Sequence, residues 1–87
     1  MGSFEIRWKH SAARELKRLP HEVVLRISRA VEELRQEPFP AGVRKILGAE
    51  HTYRIRLGDY RVLYTVLAST LVIEVVRVGH RKDVYDR

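Results

Sequence analysis

The sequence predicts an α+β fold of order β-α-α-β-β-β, with two N-terminal helices packed on one face of a mostly antiparallel four-stranded sheet. Three observations predict it. Residues 4–8 alternate apolar and charged side chains, residues 11–34 carry apolar side chains at helical spacing, and residues 52–78 hold three runs rich in β-branched and aromatic residues. At 87 residues the chain is one domain, 1–87, with a small core and little room for a deep private cavity. A surface site, or one completed by a partner, is expected.

In the first strand Phe4, Ile6 and Trp8 alternate with Glu5, Arg7 and Lys9. Ser11 is expected to cap the helix that follows. Ala13, Leu16 and Leu19 give that helix its apolar stripe, and Pro20 ends it. The second helix starts near His21. Its Val23, Val24, Ile27, Ala30, Val31 and Leu34 make the clearest periodicity in the chain. It stops by Glu37, because Pro38 disfavours helix at the residue before it. Residues 38–42 are a loop on their proline and glycine content, and 44–51 are loop with at most a short strand. Strands are expected over 52–57, 60–67 and 71–78. Gly58-Asp59 makes a two-residue hairpin turn, Ala68-Ser69-Thr70 makes the next turn, and 79–87 is a tail.

Composition narrows the function. The chain has no cysteine, which removes disulfides, thiolate catalysis and thiolate metal sites. No apolar run approaches the ~20 residues of a membrane span, and the N-terminus resembles neither a secretory leader nor an acylation signal. A cytoplasmic protein without a membrane partner is expected. There are 17 basic and 11 acidic residues, a net charge of +6. Lysine occurs only at Lys9, Lys17, Lys45 and Lys82, so most of the basic residues are arginine, whose planar fork of donors suits phosphate. An anionic partner follows, with nucleic acid first.

The hairpin turn fixes which side chains share a face. It sets Leu57 opposite Tyr60, Arg56 opposite Arg61 and Ile55 opposite Val62. Tyr53, Ile55, Leu57, Tyr60, Val62, Tyr64 and Val66 then form the face that packs on the helices. Arg54, Arg56 and Arg61, with Leu63 and Thr65 beyond them, lie on the other face, which is expected to be open. Two arginines directly opposed cost up to ~1 kcal/mol relative to a neutral pair, a sign an anion would reverse. The alternative is a solvated cationic face relieved by carboxylates such as Glu74 or Asp59.

The tail adds Arg77, His80, Arg81, Lys82, Tyr85 and Arg87, diluted by Asp83 and Asp86. Basic groups interleaved with a histidine and a tyrosine suit RNA, with arginine and lysine for phosphate and tyrosine for stacking or proton transfer. A frayed, solvated C-terminus is the other reading. His10 and His21 flank the first helix and are expected at the surface, while His51 stands where it could approach the arginine face. No two histidines have metal-site spacing with an acidic neighbour, so no metal and no other cofactor is expected. Serines lack a nearby histidine–acid arrangement, and there is no glycine-rich phosphate loop.

Three segments resemble a known family. Residues 11–20 (SAARELKRLP) are similar to its first helix, residues 53–64 (YRIRLGDYRVLY) to its central hairpin, and residues 76–85 (VRVGHRKDVY) to its C-terminal signature. The family is the RelE-like toxins of the RelE/ParE superfamily, from bacterial and archaeal toxin–antitoxin pairs. The resemblance implies a metal-independent endoribonuclease that cuts mRNA in the ribosomal A site and so inhibits translation. It also implies a cognate antitoxin, RelB-like and acidic, that folds on binding, and contact with DNA only through the antitoxin complex. Position by position, the family's basic strand residues, its arginine after the glycine turn, its arginine after the C-terminal glycine and its terminal tyrosine fall on Arg54, Arg56, Arg61, Arg81 and Tyr85. His80 joins these as a catalytic candidate, and Arg77 and Lys82 join Arg54 and Arg56 as RNA-binding candidates.

One departure bears on mechanism. The strand positions Arg54 and Arg56 are often lysine in RelE-type enzymes, where one lysine serves as base. Arginine stays protonated and cannot take that role. The proton acceptor is then Tyr85, His80, His51, or the ribosome and RNA themselves. Chemistry alone leaves Tyr85 and His80 close; the resemblance favours Tyr85. Two other activities are compatible with the fold: inhibition of DNA gyrase, as in ParE-type relatives, and non-catalytic nucleic-acid binding.

Overall fold

A computed structural model describes residues 3–84. The order is β1 (Glu5–Trp8), α1 (His10–Lys17), α2 (His21–Glu33), β2 (Arg44–Lys45), β3 (Thr52–Leu57), β4 (Tyr60–Leu67) and β5 (Val72–His80). These strands form one five-stranded sheet in the order β1-β5-β4-β3-β2. The α+β class and the element order are those the sequence predicts. The sheet has five strands rather than four because Arg44 and Lys45, in the stretch expected to be loop with at most a short strand, pair with Arg54 and Tyr53. β1 runs parallel to β5, and the other pairings are antiparallel.

Ala12 of α1, Ile27 and Val31 of α2, and Leu34 at its end are buried against Ile55, Val62, Tyr64, Val66, Ile73, Val75 and Val78 of the sheet. Fully burying one such aliphatic side chain contributes roughly 1.5–3 kcal/mol, so this layer carries most of the stability. The Tyr64 hydroxyl donates to Pro38 O at 2.7 Å, which ties the loop after α2 to the sheet. Burial, with Tyr53 beside it, pushes the Tyr64 phenol well above its ordinary value, so it stays a neutral donor.

Ser11 does not cap α1. Lys9 N–H donates to Val75 O at 2.9 Å, and Lys9 O accepts from Ala13 N–H, so the strand passes directly into the helix and Lys9 is the cap residue. α2 begins and ends close to its expected limits. The turn after β4 extends through Leu71, whose φ of +55° delays β5 to Val72.

A bulge in β5 sets the far end of the sheet. Tyr64 pairs with Val75 but Leu63 pairs with Arg77, so Val76 is an extra residue. Ile73 and Val75 face the helices, and after the bulge Val78 faces them again. The bulge is filled from α1: Glu15 Oε1 accepts from Val78 N–H at 2.9 Å, and Oε2 accepts from Arg77 Nε at 3.0 Å.

Candidate anion-binding site

The β3–β4 hairpin has the register expected from its turn. Arg56 is paired with Arg61, Ile55 with Val62 and Leu57 with Tyr60. Gly58 has a φ of +63°, and Asp59 is not among the residues of positive φ, the pattern of a type II′ turn. The turn hands both arginines to one side. There Arg56, Gly58, Arg61 and Arg81 line a polar pocket of about 120 Å³.

Arg81 reaches the pocket because the chain folds back after β5. Its backbone N–H donates to Asp59 O at 2.7 Å, and its Nε lies 3.9 Å from Asp59 Oδ1. That ion pair is exposed and long, so it is a weak counterweight to converging guanidiniums. Beyond Arg81, Val84 is fully buried with Ile46 and Leu63 in a second apolar cluster. Arg61 Nη1 donates to Val84 O at 3.2 Å, which joins the pocket to this anchor. Gly79 makes the fit possible, since a methyl group there would come within 2.8 Å of Val84 Cγ2. Gly79→Ala is therefore expected to push Val84 off the sheet at a cost of about 1–3 kcal/mol. Its melting temperature checks this, and unchanged melting would show that Val84 yields without cost.

The second cluster changes the expected picture of an open face. Ile46 and Val84 cover Leu63, and Leu63 is the register partner of Arg54. Arg54 is accordingly buried, at 4% exposure, so it does not present a surface to RNA. Arg77 donates to Glu15 and, through Nη2, to Asp83 O at 3.3 Å, so its guanidinium secures the bulge and the tail turn. Lys82 is exposed but lies outside the pocket lining.

His80 also stands apart from the arginines. Its ring meets Tyr60 edge-on with centroids 5.4 Å apart, and Tyr60 packs against the helix-side core. Its Nδ1 accepts the Lys82 N–H at 3.1 Å. A neutral imidazole held this way carries its proton on Nε2 and offers no lone pair to a substrate. His51 is exposed, precedes β3, and is five residues from Arg56 along an extended strand, ~16 Å away, so it does not approach the pocket. His10 and His21 are exposed, as expected. Tyr85 lies outside the described residues. Of the eight candidates, Arg56, Arg61 and Arg81 are brought together.

Among the described residues, no three histidine, aspartate or glutamate side chains come together so as to hold a metal. No described helix is long and apolar enough to cross a membrane.

Comparison with known proteins decides the family. The family described as the ParE toxin of type II toxin–antitoxin systems, parDE, matches residues 6–85. The chain belongs to this family. Toxin RelE3 of Methanocaldococcus jannaschii is 34% identical over 77 residues, covering 84% of this chain and 85% of the relative. Toxin RelG of Mycobacterium tuberculosis is 31% identical over 87 residues, covering 97% and 98%. Among solved structures, the toxin-fold chain of the archaeal RelE–RelB complex from Pyrococcus horikoshii has a TM-score of 0.81 at 29% identity, covering 94% of this chain and 99% of that one. The matching chain of the RelB–RelE antitoxin–toxin complex from Methanococcus jannaschii has a TM-score of 0.74 at 31% identity, covering 92% and 95%. This RelE/ParE superfamily protein is thus a type II toxin whose named relatives are of the RelE kind.

Proposed function

We propose that this RelE-type toxin is an endoribonuclease that cleaves mRNA, in the ribosomal A site, without a metal. The pocket of Arg56, Arg61 and Arg81 carries the reading: three guanidiniums facing one small polar cavity are suited to a phosphate diester. The RNA 2′-oxygen attacks the adjacent phosphorus, the bond to the 5′-oxygen breaks, and the products are a 2′,3′-cyclic phosphate and a 5′-hydroxyl. The 2′-hydroxyl proton passes to a base, and the leaving 5′-oxygen gains a proton. Arg61 and Arg81 neutralise the charge that builds on the phosphate oxygens, and Arg56 holds the backbone. Arg54, being buried, adds to the positive potential rather than touching RNA. Exposed Lys82 meets RNA outside the pocket, whereas Arg77 serves the fold.

The natural partner in this reading is an acidic RelB-like antitoxin that folds on the toxin, and the place of action is the cytoplasm. The Pyrococcus and Methanococcus relatives were solved as RelE–RelB complexes, which supports such a partner. The +6 charge favours a carboxylate-bearing one.

The ParE name of the matching family makes gyrase inhibition the alternative. One pair of assays separates them. Added to a cell-free translation extract, the purified chain is expected to stop synthesis and leave mRNA fragments with 5′-hydroxyl ends. In a gyrase supercoiling assay it is expected to do nothing. Inhibited supercoiling with uncut mRNA would overturn the nuclease reading in favour of gyrase.

A further inference from the structure

A cation at the edge of this pocket has no role in the steps above. Arg26 belongs to α2, in the helix layer, yet its guanidinium lies against the hairpin turn. A methyl group built at Gly58 would come 3.2 Å from Arg26 Nη2 and 3.8 Å from Nη1. Gly58 also lines the pocket of Arg56, Arg61 and Arg81. The bare backbone of one glycine therefore adjoins guanidiniums of both the sheet and the helix layer.

The surroundings of Arg26 differ from those of arginines that serve the fold. Arg7, Arg35 and Arg77 each donate to a glutamate. Arg26 makes no side-chain hydrogen bond or ion pair among the described residues. Asp59, in the turn beside the pocket, is directed to Arg81. Arg26 is exposed, and its guanidinium beside Gly58, which the pocket arginines also adjoin, adds positive charge that an anion lying across the turn would relieve. Gly58 keeps that path low, since its φ of +63° disfavours a side chain.

We propose that Arg26 is a second phosphate-binding subsite, so that the RNA backbone crosses the Gly58–Asp59 turn with one phosphate in the arginine pocket and a neighbouring one on Arg26. The proposal rests on the pocket being an RNA site. Since the contact is to phosphate, it holds every sequence equally and steers RNA by charge.

The probe is a short single-stranded 2′-O-methyl RNA, which lacks the attacking hydroxyl and so is bound without being cut. Its affinity for the full chain is measured by fluorescence anisotropy over a salt series. Arg26→Gln is expected to weaken binding roughly tenfold at low salt for every sequence tried. It should also lower the slope of log affinity against log salt by about 0.7. Arg26→Lys should restore the slope, and Arg18→Gln, at the exposed residue that caps the C-terminus of α1, should leave it unchanged. An Arg26→Gln protein with wild-type affinity and slope, while Arg61→Ala binds weakly, overturns the subsite and leaves the pocket reading standing. Wild-type protein that binds no RNA at low salt overturns both.

Discussion

Arg61→Ala is expected to reduce RNA cleavage by roughly 100- to 1,000-fold, the loss typical when one preorganised donor to a developing oxyanion is removed. Arg61 lies in the pocket with Arg56 and Arg81, on the sheet face away from the helix-side core. Its removal opens no cavity among Ile27, Val31 and Val62. It does remove the hydrogen bond to Val84 O, so the tail anchor is expected to loosen slightly while the sheet stays folded. Arg61→Lys keeps the charge but loses the fork, and should fall between the two. Circular dichroism establishes the fold, and primer extension on ribosome-bound mRNA reads the cleavage. If Arg61→Ala, at matched expression, still arrests growth and cuts messages, this residue has no place in the chemistry.

The second large effect concerns the proton acceptor. Tyr85→Phe is expected to lose roughly 10²- to 10⁴-fold in cleavage, the range attributed to one general acid–base group, with RNA binding nearly unchanged. His80→Gln is expected to stay near wild type. His80 is turned towards Tyr60, and its Nδ1 is occupied by the Lys82 N–H. Tyr85 lies outside the described residues, but it follows Val84, whose carbonyl accepts from Arg61. A phenol acts as a base only through its phenolate, which cations held beside it would favour. Cleavage rates of both variants on the same message decide between them. A Tyr85→Phe protein at wild-type rate, beside an inactive His80→Gln, would transfer the role to the histidine and require its imidazole to turn.

Much of the site was legible because a short hairpin couples sequence directly to geometry. Gly58-Asp59 fixes the register, register fixes the face, and so Arg56 and Arg61 are found opposed without knowledge of the rest. The helix layer was legible from α2, whose apolar residues keep one period. The covered face was not. Ile46 and Val84 lie in a loop and a tail, with no periodicity to mark them as a lid, and so Arg54 read as exposed. The β5 bulge was hidden because Val75 and Val76 are the same residue type, so nothing marks which of the residues between Glu74 and Arg77 is the extra one. Its partner, Glu15, lies 63 positions from Val78 in the chain, beyond any local signal. Arg26 was missed for the same reason: only folding brings α2 to the hairpin turn.

The place of β5 in the sheet also orders events in time. Among the described strands, β1 joins the sheet through β5 alone, so the first of them to be synthesised waits for the last. Arg81, which completes the pocket, and Val84, which anchors the tail, come later still. Contacts so distant in the chain form late, because the long intervening loop must close before they contribute. The growing polypeptide therefore has no finished pocket until the segment carrying Arg81 and Val84 has left the ribosome. If it cuts messages there, it acquires that capacity only once that segment has emerged, and any partner that binds the emerging chain has that interval in which to act.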